Sequence, residues 1–208
     1  IGPRLGVPLL LVVDGIASLG LLPGTWRIAD KREIAIMGVG CAFGAPAGAA
    51  LLVYGDALTL RWMIVGIAVV MFAAILSGWR FKEKPGRPVA VGVGFVAGLF
   101  GGVSQVGGPP IVAYWLSGGT PHVLMRANII VYFAMSTCFS ALSYYFGGLL
   151  NVTVLALSAA AIPLYGLGLA LGTLLFGRAS ETFFRRVCYV LIALSVVISL
   201  PVFDSILR

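Results

Sequence analysis

Apolar residues fill this chain in blocks of about twenty, the length a helix needs to cross a bilayer, and short polar segments separate the blocks. The pattern predicts spans at Leu5 to Leu22, Ile34 to Tyr54, Leu60 to Trp79, Leu124 to Phe146, Val152 to Phe176 and Phe183 to Val202. Pro23 through Glu33, Gly55-Asp56, Arg80 through Arg87 and Ser117 through His122 connect them. One block differs from the rest. From Pro88 to Trp115 the chain is apolar enough to enter a membrane, yet GGVSQVGGPP interrupts it at residues 101–110. Hydrocarbon cannot satisfy free backbone polar groups, so a break at membrane depth is kept only where protein or a water-filled cavity covers it.

The positive residues decide how that block lies. If it crossed once, Arg27, Lys31, Arg32, Arg80, Lys82, Lys84, Arg87 and Arg208 would face Arg4, Arg61, Arg126, Arg178, Arg185 and Arg186 across the membrane, with little bias. If it dips in and returns, the later loops change sides and only Arg4, Arg61 and Arg208 remain in the minority. The positive-inside rule favours the second arrangement. The expected element is a re-entrant hairpin of two half-helices meeting at the glycines, with the basic loops in the cytoplasm.

Shifting the sequence by 122 places Arg4 on Arg126, Ser18 on Ser140, Gly44 on Gly166, Leu52 on Leu174, Gly55 on Gly177 and Ala57 on Ala179. Weak internal symmetry of this kind is the mark of transporter repeats. The expected fold class is an all-α integral membrane protein of two inverted repeats, 1–80 and 88–208, joined by a linker at 81–87 and forming one domain. The first repeat then lacks a counterpart to the hairpin, so about 30 to 35 residues are expected before Ile1.

Composition agrees: 60% of the 208 residues are hydrophobic and 10% are charged, against roughly 25% charged in soluble domains, and the mean hydropathy is +1.07. The net charge of +7 sits in loops and not on one amphipathic face, so it sets topology and does not indicate nucleic acid. Cys41, Cys138 and Cys188 lie singly in apolar segments, without metal-ligand spacing or a disulfide framework.

The candidate chemistry is concentrated at the break. Glycines free the backbone to turn, and Pro109 and Pro110 end one half-helix and suit the first turn of the next. A half-helix N-terminus attracts anions, and Ser104 and Gln105 add side-chain donors beside Val106, Gly107 and Gly108. The alternative is a glycine-rich crossing point for close helix packing. Arg126 and, two positions on, Asn128 open the next span; the guanidinium can clamp an oxyanion or snorkel to the interface. Asp14 is the one acid well inside an apolar run, where an unpaired carboxylate costs about 2.5–3.5 kcal/mol. It is read as a proton or cation coupling site or as an ion pair with Arg126 or Arg4, and Ser136 and Thr137 occupy the matching place in the second repeat. Tyr114, Trp115, Tyr144 and Tyr145 read as interfacial or packing aromatics. Gly102-Val103-Ser104 superficially resembles the GxS of an intramembrane protease, but the one histidine, His122, lies in a connector, so no base is placed for it.

With its RAN segment at residues 126–128, GFVAGLFGGVSQVGGPPIVAYWLSGGTPHVLMRANIIVYF resembles the TauE/SafE family of sulfite and organosulfonate transporters, the toluene-sulfonate uptake permeases. The likeness covers the chain. Gln105 departs from it, standing where the family often has small or apolar residues, and the first glycine-rich motif is absent. The resemblance implies secondary-active, gradient-driven transport of a small sulfur-containing anion across the bacterial inner membrane, with no enzymatic activity and no cofactor. Its partners are then a sulfite or sulfonate substrate, a coupling proton or cation, and the lipid bilayer. An uncoupled anion channel and a non-transporting sensor or assembly subunit are the competing expectations. No GxxxxGK[ST] element is present for ATP.

Overall fold

The computed structural model describes residues 2–77, 85–116 and 120–176. Among them are seven helices: α1 (Pro3–Thr25), α2 (Lys31–Tyr54), α3 (Ala57–Leu76), α4 (Arg87–Ser104), α5 (Gly108–Leu116), α6 (His122–Phe146) and α7 (Val152–Phe176). All except α5 are long and apolar enough to cross a bilayer. This is an all-α integral membrane protein. The expected span at Phe183 to Val202 lies outside the described residues.

Local chemistry sets the helix starts. Asp30 caps α2, its Oδ1 accepting from the N–H groups of Arg32 and Glu33 at 3.1 Å each, so the charged triplet Lys31-Arg32-Glu33 is helical although it precedes the apolar run. Asn151 caps α7 through Val154 N–H at 2.9 Å. Asp56 accepts from Thr59 N–H at 2.8 Å at the start of α3, which holds its carboxyl below the usual carboxylate range. Each cap satisfies an N–H that the first helical turn would leave free.

Contacts between helices give their directions. Arg4, opening α1, donates to Leu52 O at 3.3 Å and Gly55 O at 2.8 Å, at the end of α2. The N–H of Asp30, at the start of α2, donates to Asn128 Oδ1 near the start of α6 at 2.8 Å. Thus α2, α4 and α6 all start on one side of the membrane, here the near side, and run to the far side, while α1, α3 and α7 run back.

The tightest pairing is between α2 and α4, which run parallel. Gly40, Gly44 and Gly48 on α2 interleave with Gly94, Gly98 and Gly102 on α4. A Cβ on Gly44 would lie 2.1 Å from Phe95 O, and one on Gly94 would lie 2.0 Å from Met37 O. With no solvent to drive apolar surfaces together in lipid, such small-residue faces let backbones approach and recover dispersion energy. Buried residues of α2, α4, α5 and α6, among them Met37, Cys41, Ala97, Ile111, Trp115 and Tyr132, form the core around this seam.

Candidate functional site

Helix α4 ends inside this core, at Ser104, and the chain turns back. Gln105 takes the left-handed conformation at φ 59°, the one non-glycine residue with positive φ among those described. Two residues later Gly107 touches α4 again: a Cβ there would lie 2.4 Å from Ala97 O and 3.4 Å from Gly101 N. Helix α5 then runs back alongside α4, and Tyr114, near its end, donates to Glu33 Oε1 in the first turn of α2 at 3.0 Å. The block at Pro88 to Trp115 is therefore a hairpin with both ends on the near side. Ala97 is ten residues beyond Arg87, so α5 starts beside a point about 15 Å along α4, near the middle of that helix.

A helix ending inside the protein leaves its last carbonyls without helical partners, and the tip is built to supply them. Gln105 N–H and Nε2 both donate to Gly101 O, at 2.9 and 3.0 Å. Tyr144 of α6 donates to Gly102 O at 2.6 Å and accepts from Gln105 Nε2 at 3.3 Å. The Ser104 hydroxyl donates to Phe100 O at 2.9 Å. Glycine is the usual residue at a left-handed helix end. Here the glutamine side chain itself caps the carbonyl, offsetting a backbone cost of roughly 1–2 kcal/mol.

This geometry redistributes the donors that the sequence suggested. Ser104 and Gln105 use their side-chain hydrogens within the tip, and Pro109 and Pro110 have no N–H. The N–H groups of Val106, Gly107 and Gly108 precede the first turn of α5 and have no helical partner there. Gly108 faces α6, where a Cβ would meet Phe133 Cζ at 3.5 Å. Ser136, three residues on, accepts from the Cys41 thiol at 3.4 Å and borders Gly101, so its own hydrogen remains to be donated.

Arg126 and Asn128 are placed elsewhere. Arg126 is exposed near the start of α6, ten residues and so about 15 Å along the axis from Ser136. Asn128 is fully buried; its Oδ1 holds Asp30, and its Nδ2 has no acceptor among the described residues. Asp14 sits midway along α1 and accepts a short hydrogen bond from the Tyr165 hydroxyl of α7. It is not paired with Arg4, whose guanidinium caps the end of α2, and Arg126 lies at the near-side end of another helix. Thr137 packs across from Gly15, where a Cβ would lie 2.9 Å from its Cγ2.

Of the aromatics expected to be interfacial or packing, Tyr114, Trp115 and Tyr144 pack, at 2%, 1% and 0% exposure, and Tyr145 is exposed. Tyr132 and the hydrogen-bonding role of Tyr144 were not singled out from the sequence. Tyr132, also buried, donates to Gly94 O at 3.2 Å. The available signal was periodic: Asn128, Tyr132, Ser136, Ser140 and Tyr144 recur at every fourth position of an apolar span, one polar stripe along one helix face.

Full spans around a hairpin broken inside the protein define a class: a multi-pass membrane transporter, in which unwound backbone is kept where it faces a cavity or solute. The sequence narrows the class further. The chain belongs to the sulfite exporter TauE/SafE family, whose pattern matches residues 1–198. It is 27% identical over 191 residues to the probable sulfite/organosulfonate exporter TauE of Cupriavidus necator, covering 88% of this chain and 74% of that protein. No solved structure matches it.

Proposed function

We propose that this transporter carries a small sulfur-containing anion, sulfite or an organosulfonate, as a secondary-active carrier driven by an ion gradient. The observation that carries the reading is the hairpin tip. A costly left-handed glutamine ends one half-helix, and the other begins beside the middle of α4 with free N–H groups and positive partial charge aimed into the protein. The substrate contacts are the N–H groups of Val106, Gly107 and Gly108 and the Ser136 hydroxyl. Pro109 fixes the turn that aims them, and Ser104 and Gln105 shape the tip. Arg126, exposed, serves the near-side approach, and Asn128, buried, ties the start of α6 to that of α2. The family and the named relative support the substrate class, and the absence of any ATP-binding element from the sequence is consistent with gradient coupling.

The same reading takes the chain as two inverted repeats. Helices α1 and α6, and likewise α2 and α7, correspond at an offset of 122 to within three residues at each end and run in opposite directions. In this pairing Asp14 and Ser136 are equivalent, which puts the mid-membrane carboxylate where the second repeat holds its polar contact to the hairpin. Asp14, with Tyr165, is the coupling site. Arg27, Lys31, Arg32, Arg87 and Arg126 lie on the near side and Arg4 and Arg61 on the far side, so the near side is cytoplasmic by the positive-inside rule, in a bacterial inner membrane.

Counterflow in proteoliposomes tests the proposal. Unlabelled sulfite inside should drive uptake of labelled sulfite, and an imposed proton or sodium gradient should drive accumulation. Net current without counterflow would mark a channel, and neither signal would mark a sensor or assembly subunit.

A further inference from the structure

Gln105 ends α4 in the left-handed conformation, and the structure fixes how its carboxamide is turned. A carbonyl only accepts, so the atom 3.0 Å from Gly101 O must be Nε2 and not Oε1. The Tyr144 hydroxyl gives its single hydrogen to Gly102 O at 2.6 Å, so towards Gln105 it accepts. Donation therefore runs from Nε2 to Tyr144 and on to the end of α4, and both amide hydrogens are used. The Ser104 hydrogen is also used, on Phe100 O. Among the described residues, what the tip side chains leave uncommitted is Gln105 Oε1, an acceptor, on a half-buried residue three positions before α5 begins.

Resting on the reading that the hairpin tip binds the anion, we propose that Tyr144 is a positioning residue that makes the site select anions bearing a proton donor. By holding Nε2, it presents Oε1 to the ligand. An oxyanion without a hydrogen to offer brings its lone pairs against that carbonyl, and both stay unsatisfied. An anion with a hydroxyl or ammonium group, or singly protonated hydrogensulfite, gives a hydrogen to Oε1 while its other oxygens take the backbone N–H groups. Selectivity then comes from a polar group that penalises the wrong ligand as well as from one that rewards the right one. Tyr144 is suited to this role, because it is fully buried and Tyr132 ties the same helix to α4 at Gly94. Without its hydroxyl Nε2 keeps one hydrogen bond of two, to a Gly101 carbonyl that the Gln105 N–H already serves at 2.9 Å, and the carboxamide can turn to offer Nε2 to either ligand.

The matched probes are 2-hydroxyethanesulfonate and propane-1-sulfonate, which differ by a hydroxyl in place of a methyl group, titrated by calorimetry into the full chain in detergent beside sulfite. The hydroxyl compound is expected to bind about two- to twelve-fold tighter, the worth of one neutral hydrogen bond. In Tyr144→Phe and in Gln105→Met the ratio should fall to about one, whereas a merely structural role would weaken both probes alike and keep the ratio. Equal binding of the two probes by the unmodified chain would overturn the proposal and leave the tip as the anion site. A ratio kept in folded Tyr144→Phe would overturn the part assigned to Tyr144; if that variant does not fold, Gln105→Met decides the attribution by the same criterion. Binding of neither probe and no binding of sulfite would overturn the reading beneath the proposal, and the proposal with it.

Discussion

The glycine seam between α2 and α4 makes a quantitative prediction with its own control. In Gly44→Ala the new methyl group lies 2.1 Å from Phe95 O and 2.9 Å from Leu99 N, and the approach must open to at least 3.4 Å before the contact is ordinary. Both neighbours are backbone, so no side chain can rotate away and the helices must part by more than 1 Å. A gap of that size forfeits about a quarter to a half of the dispersion well for each atom pair along the seam. Overpacking of this kind costs about 1–3 kcal/mol, and a rigid backbone contact belongs at the upper end. Gly66 on α3 is also helical, but a Cβ there meets nothing within 4 Å. Gly66→Ala should therefore gain about 0.5–1 kcal/mol from helix propensity alone. Equilibrium unfolding in mixed detergent and dodecyl sulfate micelles should separate the two variants by about 3.5–4 kcal/mol, the sum of those effects. Stabilities within about 1 kcal/mol of each other would refute the close parallel pairing, since a seam with slack would relieve a contact of this kind.

Three further outcomes follow from the described geometry. Asp14→Asn keeps an acceptor for Tyr165 but loses the titratable carboxylate, so gradient-driven accumulation should disappear while substrate exchange persists; accumulation at the unmodified level would remove Asp14 from coupling. Arg126→Ala should change sulfite affinity by less than about two-fold, since its side chain starts roughly 15 Å along α6 from the tip, and a ten-fold loss would return it to the binding site. Cysteines introduced at Gly86 and Pro121, which flank α4 and α5, should react with a membrane-impermeant thiol reagent from the same side, and labelling from opposite sides would contradict the hairpin.

Much of the fold was legible because hydrocarbon imposes so few options. The expected spans at Ile34 to Tyr54, Leu124 to Phe146 and Val152 to Phe176 differ from α2, α6 and α7 by at most three residues at either end. The differences arise where a cap such as Asp30 draws charged residues into the first turn. The break was legible too, because glycine and proline act locally on the backbone. The partners across the fold could not be read. Nothing near Gln105 in sequence says that Tyr144, 39 residues away, will meet its carboxamide, or that Ser104 and Gln105 will direct their hydrogens to α4. Donors were counted by residue type, and hydrogen-bond capacity depends on what the neighbours take. The aromatic residues stayed open between interfacial and packing places for the same reason: Tyr114 and Tyr145 are alike in type, and only packing buries one and exposes the other.

The level at which α5 starts has an electrical consequence. With Arg87 at the near-side hydrocarbon edge, the start of α5 lies about 15 Å into a layer about 30 Å thick, so a charge held there sits near the halfway point of the field. Moving one elementary charge through the whole potential is worth about 2.3 kcal/mol per 100 mV. A monovalent anion reaching the start of α5 from either side therefore crosses roughly half of it, about 1.1 kcal/mol per 100 mV. Loading from one face and release to the other divide the membrane voltage about equally between them, so neither step alone carries the whole electrical load of transport.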